Sequence, residues 1–226
     1  MEALILYFVI FFPSVYASPS PDWLVNGIQA ARVIPFSVLR ELGRLLTYTL
    51  PSLALLLYLI YRAKPRGAAT EPVSLLKAAA PTRRDALPFV IGLPGLIIIG
   101  LFVSFLVSRF APIAAPFRVE GPSSLYGWIV MILLCLGTGY LEELYFRYYL
   151  LSKLEKIVAS PALRVAFSTL LFALCHAHDG LWGVLNAALA GVFLSALFLR
   201  YRSIHGIALA HAGYNVFVYA MGTVGN

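Results

Sequence analysis

Charge is scarce in this chain. Of its 226 residues only 12% are Asp, Glu, Lys or Arg, against 61% hydrophobic residues, and mean hydropathy is +0.85. A soluble domain is about a quarter charged and about half apolar. A particle of this size also has too much surface to hide the excess inside itself. This imbalance excludes a soluble enzyme, a nucleic-acid reader and a disordered tail. Cysteine is equally rare. Cys135 and Cys175 both sit in apolar stretches, where a free thiol acts as a small hydrophobe, so neither a disulfide framework nor a CxxC zinc site is present. The HExxH helix of zinc proteases is missing, and so is the alternation a β-barrel needs. No Lys or Arg precedes the first apolar run. That lack argues against a signal peptide, although Val15-Tyr16-Ala17 resembles a cleavage site.

Lipid is the solvent this composition demands. A helix needs about 20 apolar residues to cross the hydrocarbon, and the chain offers seven runs near that scale: Leu4–Ala17, Leu45–Tyr61, Leu87–Val107, Leu125–Leu151, Val165–His178, Leu181–Leu199 and Ile204–Met221. The segment Asp22–Leu39, with Trp23, Asn26, Arg32 and Pro35 among apolar residues, reads as interfacial. His178-Asp179-Gly180 is a turn sequence, so the spans on either side form a tight hairpin. The expected organisation is an N-terminal apolar span plus interfacial segment at 1–44, followed by a transmembrane core at 45–226.

The formal charge of +7 then reads as topology. The positive-inside rule places Arg62, Lys64, Arg66, Lys77, Arg83, Arg84, Lys153, Lys156, Arg164, Arg200 and Arg202 on the cytoplasmic side. Arg32, Arg40, Arg44, Arg109 and Arg118 fall outside. Trp23, Trp128 and Trp182 land together near the outer interface, as one aromatic belt would require.

Three charges lie deep within the spans: Glu142, Glu143 and Arg147. Each costs at least about 2–3 kcal/mol near the bilayer centre, so each needs a partner or a wet cavity. Glu143 and Arg147 stand at i and i+4, on one helix face. Phe172 and His176 repeat that spacing, as do His211 and Asn215. At about 1.5 Å of rise per residue, Glu142 lies about 14 Å from the cytoplasmic helix ends, His176 about 16 Å, His211 about 12 Å and Asn215 about 18 Å. Three helices thus bring a carboxylate, two imidazoles and an amide into one layer. A carboxylate and an imidazole facing one water can take its proton, and an imidazole with an amide can donate to a developing oxyanion. Those are the parts of a peptide hydrolase. The same residues also fit an ion-pair knot that locks helix packing, a zinc set of Glu142, His176 and His211, or a proton-coupled relay in a scaffold or transporter. His205 reads as a surface residue near the inner interface, and His178 with Asp179 as an outer turn. The four tyrosines at 140, 145, 148 and 149 read as packing and interface anchors.

Glu142-Glu143-x-x-x-Arg147, Phe172-x-x-x-His176 and His211-x-x-x-Asn215 resemble the three signatures of the CAAX prenyl endopeptidase and bacteriocin-processing superfamily, the intramembrane glutamic proteases. The resemblance covers roughly Leu125 to Met221. It implies an all-α, polytopic bundle of about seven transmembrane helices with a cavity open to the cytoplasmic side. It further implies an endopeptidase in which Glu142 and His176 activate water, His211 and Asn215 form the oxyanion hole, and Glu143 and Arg147 support them, with no metal and no cofactor. The implied partners are membrane lipid and a protein or peptide substrate with an apolar tail, not nucleic acid.

Overall fold

A computed structural model describes residues 2–11, 33–62, 81–110 and 118–224. The cleavage-like Val15-Tyr16-Ala17, Trp23, and the basic residues Lys64, Arg66 and Lys77 fall outside them. The described residues form seven helices: α1 (Glu2–Ile10), α2 (Val38–Arg62), α3 (Arg83–Phe110), α4 (Leu125–Leu154), α5 (Pro161–Cys175), α6 (Gly180–Tyr201) and α7 (Ile204–Val224). A two-residue parallel pairing, Val33 with Arg118 and Ile34 with Val119, ties the chain ahead of α2 to the chain ahead of α4.

Four helices, α2, α3, α4 and α6, are long and apolar enough to cross a membrane. Helix α5 is shorter, at 15 residues. Helix α7 has 21 residues, but His205, His211 and Asn215 dilute its hydropathy. The protein is an all-helical integral membrane protein.

Local signals set the helix ends. Ser37, Ser124 and Ser160 accept from the backbone N–H three residues on, starting α2, α4 and α5, and thereby satisfy donors that no helical carbonyl reaches. Between α5 and α6 the chain reverses through one 3-10 turn, Ala177–Asp179, closed by Gly180 at φ 77°. Only glycine takes that conformation without strain, so the expected hairpin is there.

Helix α7 packs against α3 and α4, and α5 against α6. In lipid the drive is packing and hydrogen bonding rather than water exclusion, so small residues govern how closely backbones approach. Gly139 illustrates the point. A Cβ there would sit 2.9 Å from the carbonyl oxygen of Ala208 and 3.1 Å from the nitrogen of Ala212. The missing side chain therefore lets α4 and α7 meet one turn from Glu142, Glu143 and His211. At the basic end, Asp85 on α3 accepts from Ser203 and from the amide and hydroxyl of Thr82 at 2.7 and 2.8 Å, pinning the α6–α7 turn to α3.

Helix α1 belongs to the core. Leu6, Tyr7, Ile10 and Phe11 are buried in one cluster with Tyr145, Phe146 and Phe172. Tyrosine hydroxyls hold it in place. Tyr7 donates to Leu171 O (3.0 Å), Tyr145 to Ala3 O (2.6 Å), Tyr48 to Ile10 O (2.6 Å) and Tyr149 to Glu2 (2.8 Å). Lys153 also pairs with Glu2, at 3.1 Å.

Candidate active site

Glu142 and Glu143 end the regular part of α4, and the helix then widens into a π-helical stretch, Leu144–Leu150. Such insertions are rare and often mark functional positions. Arg147 lies inside it, with Tyr145, Phe146 and Tyr149 buried around it.

Glu143 is the hub. Its side chain is wholly buried and its Oε1 lies 3.1 Å from Arg147 Nη1 and 2.8 Å from His211 Nδ1. Arg147, itself 1% exposed, stacks its guanidinium 4.3 Å from the centre of the Phe172 ring and donates weakly to Gly191 O at 3.4 Å. The deep ion pair expected from the i,i+4 spacing is present, and it extends to α7.

Glu142 takes the other side of the same imidazole. Its Oε2 lies 3.6 Å from His211 Nε2, and its side chain retains 15% exposure where Glu143 has none. That oxygen is buried and lacks a hydrogen-bond partner among the described residues. Two adjacent carboxylates therefore bracket one ring. Glu143 fixes Nδ1 as a donor, and Nε2 is presented to Glu142. Tyr48 and Cys175 also lie within electrostatic range of Glu142.

His176 caps the end of α5. Its Nδ1 lies 3.0 Å from Phe172 O. A carbonyl only accepts, so Nδ1 carries a proton. The Phe172 ring contacts His176 at 4.8 Å and His211 at 6.0 Å between ring centres, so this one aromatic spaces the two imidazoles and covers Arg147. Asn215 stands one turn beyond His211 on α7, half-buried.

Other polar groups escaped the sequence reading. His205 is not a surface residue: it is half-buried, and its Nδ1 shares a hydrogen bond of 2.8 Å with the Tyr140 hydroxyl, joining α7 to α4. Asn186 on α6 donates to the Tyr214 hydroxyl at 3.3 Å, and its Oδ1 is buried without a partner among the described residues. Glu41 is 2% exposed and held by Arg40 at 2.7 Å and Arg44 at 2.8 Å. It was missed because it lies between the interfacial segment at 22–39 and the first core run at Leu45, where only the charges of Arg40 and Arg44 bear on topology. Among the described residues, no three His, Cys, Asp or Glu side chains are arranged to hold a metal ion.

A multipass helical membrane protein with a carboxylate–imidazole cluster set between its helices is the class this architecture defines. Residues 124–217 match the family described as type II CAAX prenyl endopeptidase, Rce1-like. The match runs through α4, α5, α6 and most of α7 and includes Glu142, Glu143, Arg147, His176, His211 and Asn215. No curated protein and no solved structure gives a significant match.

Proposed function

We propose that the protein is a glutamic-type intramembrane endopeptidase that cuts near the C-terminus or membrane-proximal tail of a substrate with an apolar end. The observation that carries this reading is the bracketing of His211 by Glu143 at 2.8 Å and Glu142 at 3.6 Å, with only Glu142 left partly open. A structural ion-pair knot needs one carboxylate for Arg147. It does not need a second one, without a hydrogen-bond partner, at the far nitrogen of the histidine.

In the proposed mechanism a water molecule held between Glu142 and the His176 imidazole loses a proton to Glu142 as its oxygen attacks the scissile carbonyl carbon. The carbonyl π electrons move onto oxygen, and the resulting oxyanion accepts hydrogen bonds from a protonated His211 Nε2 and from the Asn215 amide. Collapse of this intermediate breaks the C–N bond, and Glu142 returns its proton to the leaving nitrogen. Glu143 and Arg147 do not touch substrate. They hold His211 in orientation, as buried partners of catalytic imidazoles do.

The test is cleavage of a peptide bearing a C-terminal apolar tail by purified protein in vesicles, with products identified by mass. Wild type should yield two fragments that His176→Ala does not. Equal cleavage by both proteins would remove His176 from the mechanism. No cleavage by wild type of any tail, prenylated or plain, would remove the proteolytic reading.

A further inference from the structure

The basic end of the bundle contains a cavity of about 240 Å³ that the proposed chemistry does not use. It runs inward between the ends of α4, α5 and α6 and stops at Arg147. Glu142, His176, His211 and Asn215 are not among its lining residues. Three guanidinium-bearing residues line it, Arg147, Arg164 and Arg202, against one lining carboxylate, Glu155, while Arg147 is also paired with Glu143 behind the wall. Glu155 is already engaged, 3.0 Å from Arg164. Pro161 and Arg164 from the first turn of the 15-residue helix α5, with Val165 just after it, form another wall, so the positive end of that helix dipole adds to the field.

Two observations make this more than a basic patch. Arg147 is 1% exposed, and its Nε has no hydrogen-bond partner among the described residues. A buried donor left unpaired is costly, so the guanidinium that closes the inner end of the cavity is not fully satisfied by Glu143 and Gly191 alone. Arg202, at the mouth, sits at φ 53° as the residue closing α6, a place where glycine is the unstrained choice. An arginine there carries backbone strain, and its guanidinium lies 5.9 Å from the centre of the Phe198 ring, which also lines the cavity.

We propose that this cavity binds the phosphate group of an anionic lipid from the leaflet at the basic end. The same chemistry would accept free phosphate, but the surroundings favour a lipid. An apolar groove of about 510 Å³, lined by Leu154, Ile157, Leu163, Phe167 and Leu170 among others, runs along the other side of α5. It gives an acyl chain a place beside the head group. The positive-inside rule assigns this end to the cytoplasmic leaflet, where anionic lipids concentrate.

The experiment measures binding rather than proteolysis, so the fate of the proposed activity does not decide it. Purified protein in neutral detergent is titrated with phosphatidylglycerol, phosphatidylcholine or inorganic phosphate, and occupancy is read by native mass spectrometry and melting temperature. Wild type should prefer phosphatidylglycerol over phosphatidylcholine, and phosphate should compete for the same site. The double variant R164Q/R202G should lose about 30-fold of the phosphatidylglycerol affinity, at roughly fivefold per arginine, while binding phosphatidylcholine as before. Glycine suits the φ of position 202 and the Glu155 end of the Arg164–Glu155 pair is open to solvent, so the variant should fold, and an unchanged melting temperature without lipid checks this. Equal binding of the two lipids by wild type, or an unaltered preference in the double variant, would overturn the proposal. Binding of phosphate with no lipid preference would overturn the lipid as its source.

Discussion

Replacing Arg147 with methionine keeps most of the volume and the contact with Phe172 but deletes the charge. The structure sets the cost. Glu143 has no exposure and two partners at Oε1, Arg147 at 3.1 Å and His211 at 2.8 Å, so the variant strands a carboxylate where water cannot reach it. Removing one partner of a buried ion pair costs about 3–5 kcal/mol. At about 2–4 °C per kcal/mol for a chain of this length, R147M should melt roughly 6–20 °C below wild type in detergent, followed by size-exclusion chromatography after heating. The double variant R147M/E143Q removes the stranded charge, retains an acceptor for His211 Nδ1, and should recover most of that loss, because replacing a whole buried pair is often close to neutral. A single variant melting within about 2 °C of wild type, well short of the expected fall, would refute the reasoning. So would a double variant less stable than the single.

Gly139→Val should push α4 from α7, because the backbone atoms at 2.9 and 3.1 Å cannot move aside; a displacement of about 1 Å at a catalytic group costs about 100-fold in rate, measurable as peptide cleavage, and undiminished turnover would contradict the placement of the site at this crossing. Phe172→Leu removes the ring stacked on Arg147 and should lower stability by about 1–2 kcal/mol, read as a melting shift smaller than that of R147M. Tyr48→Phe frees the carbonyl of Ile10 and should cost about 1 kcal/mol, seen as faster amide exchange across residues 2–11; unchanged exchange would mean that the hydroxyl does not hold α1. Activity should survive exhaustive chelation, and activity lost to a chelator and restored by zinc would favour Glu142, His176 and His211 as ligands.

Much of this architecture could be read from composition because lipid imposes length and polarity on every span. The runs at Leu45–Tyr61, Leu87–Val107, Leu125–Leu151, Leu181–Leu199 and Ile204–Met221 each fall inside an observed helix, and most of these helices extend a few residues beyond the run toward the interface. The site was legible for a related reason. Charges deep in an apolar helix are conspicuous, and i,i+4 spacing assigns them a face, so the Glu143–Arg147 pair followed directly. Spacing does not give rotation about the helix axis, however. The pairing of Glu143 with Arg147 leaves Glu142 the freer carboxylate, as the structure has it, but the π-helical stretch at Leu144–Leu150 was not legible, because no residue pattern is diagnostic for it. The fastening of α1 by tyrosines at 7, 48, 145 and 149 was hidden because each hydroxyl bonds a distant backbone or carboxylate group. The pairing of His205 with Tyr140 is likewise a long-range contact, and position near a turn made that histidine read as exposed.

The division of labour between the adjacent glutamates is tested most directly by measuring kcat and melting temperature together for Glu142→Gln and Glu143→Gln in the same vesicles. If Glu142 is the base, its amide variant should fold and melt like wild type while losing at least about 100-fold in kcat, whereas Glu143→Gln should lose both stability and rate. Cleavage by Glu142→Gln at the wild-type rate would contradict the account.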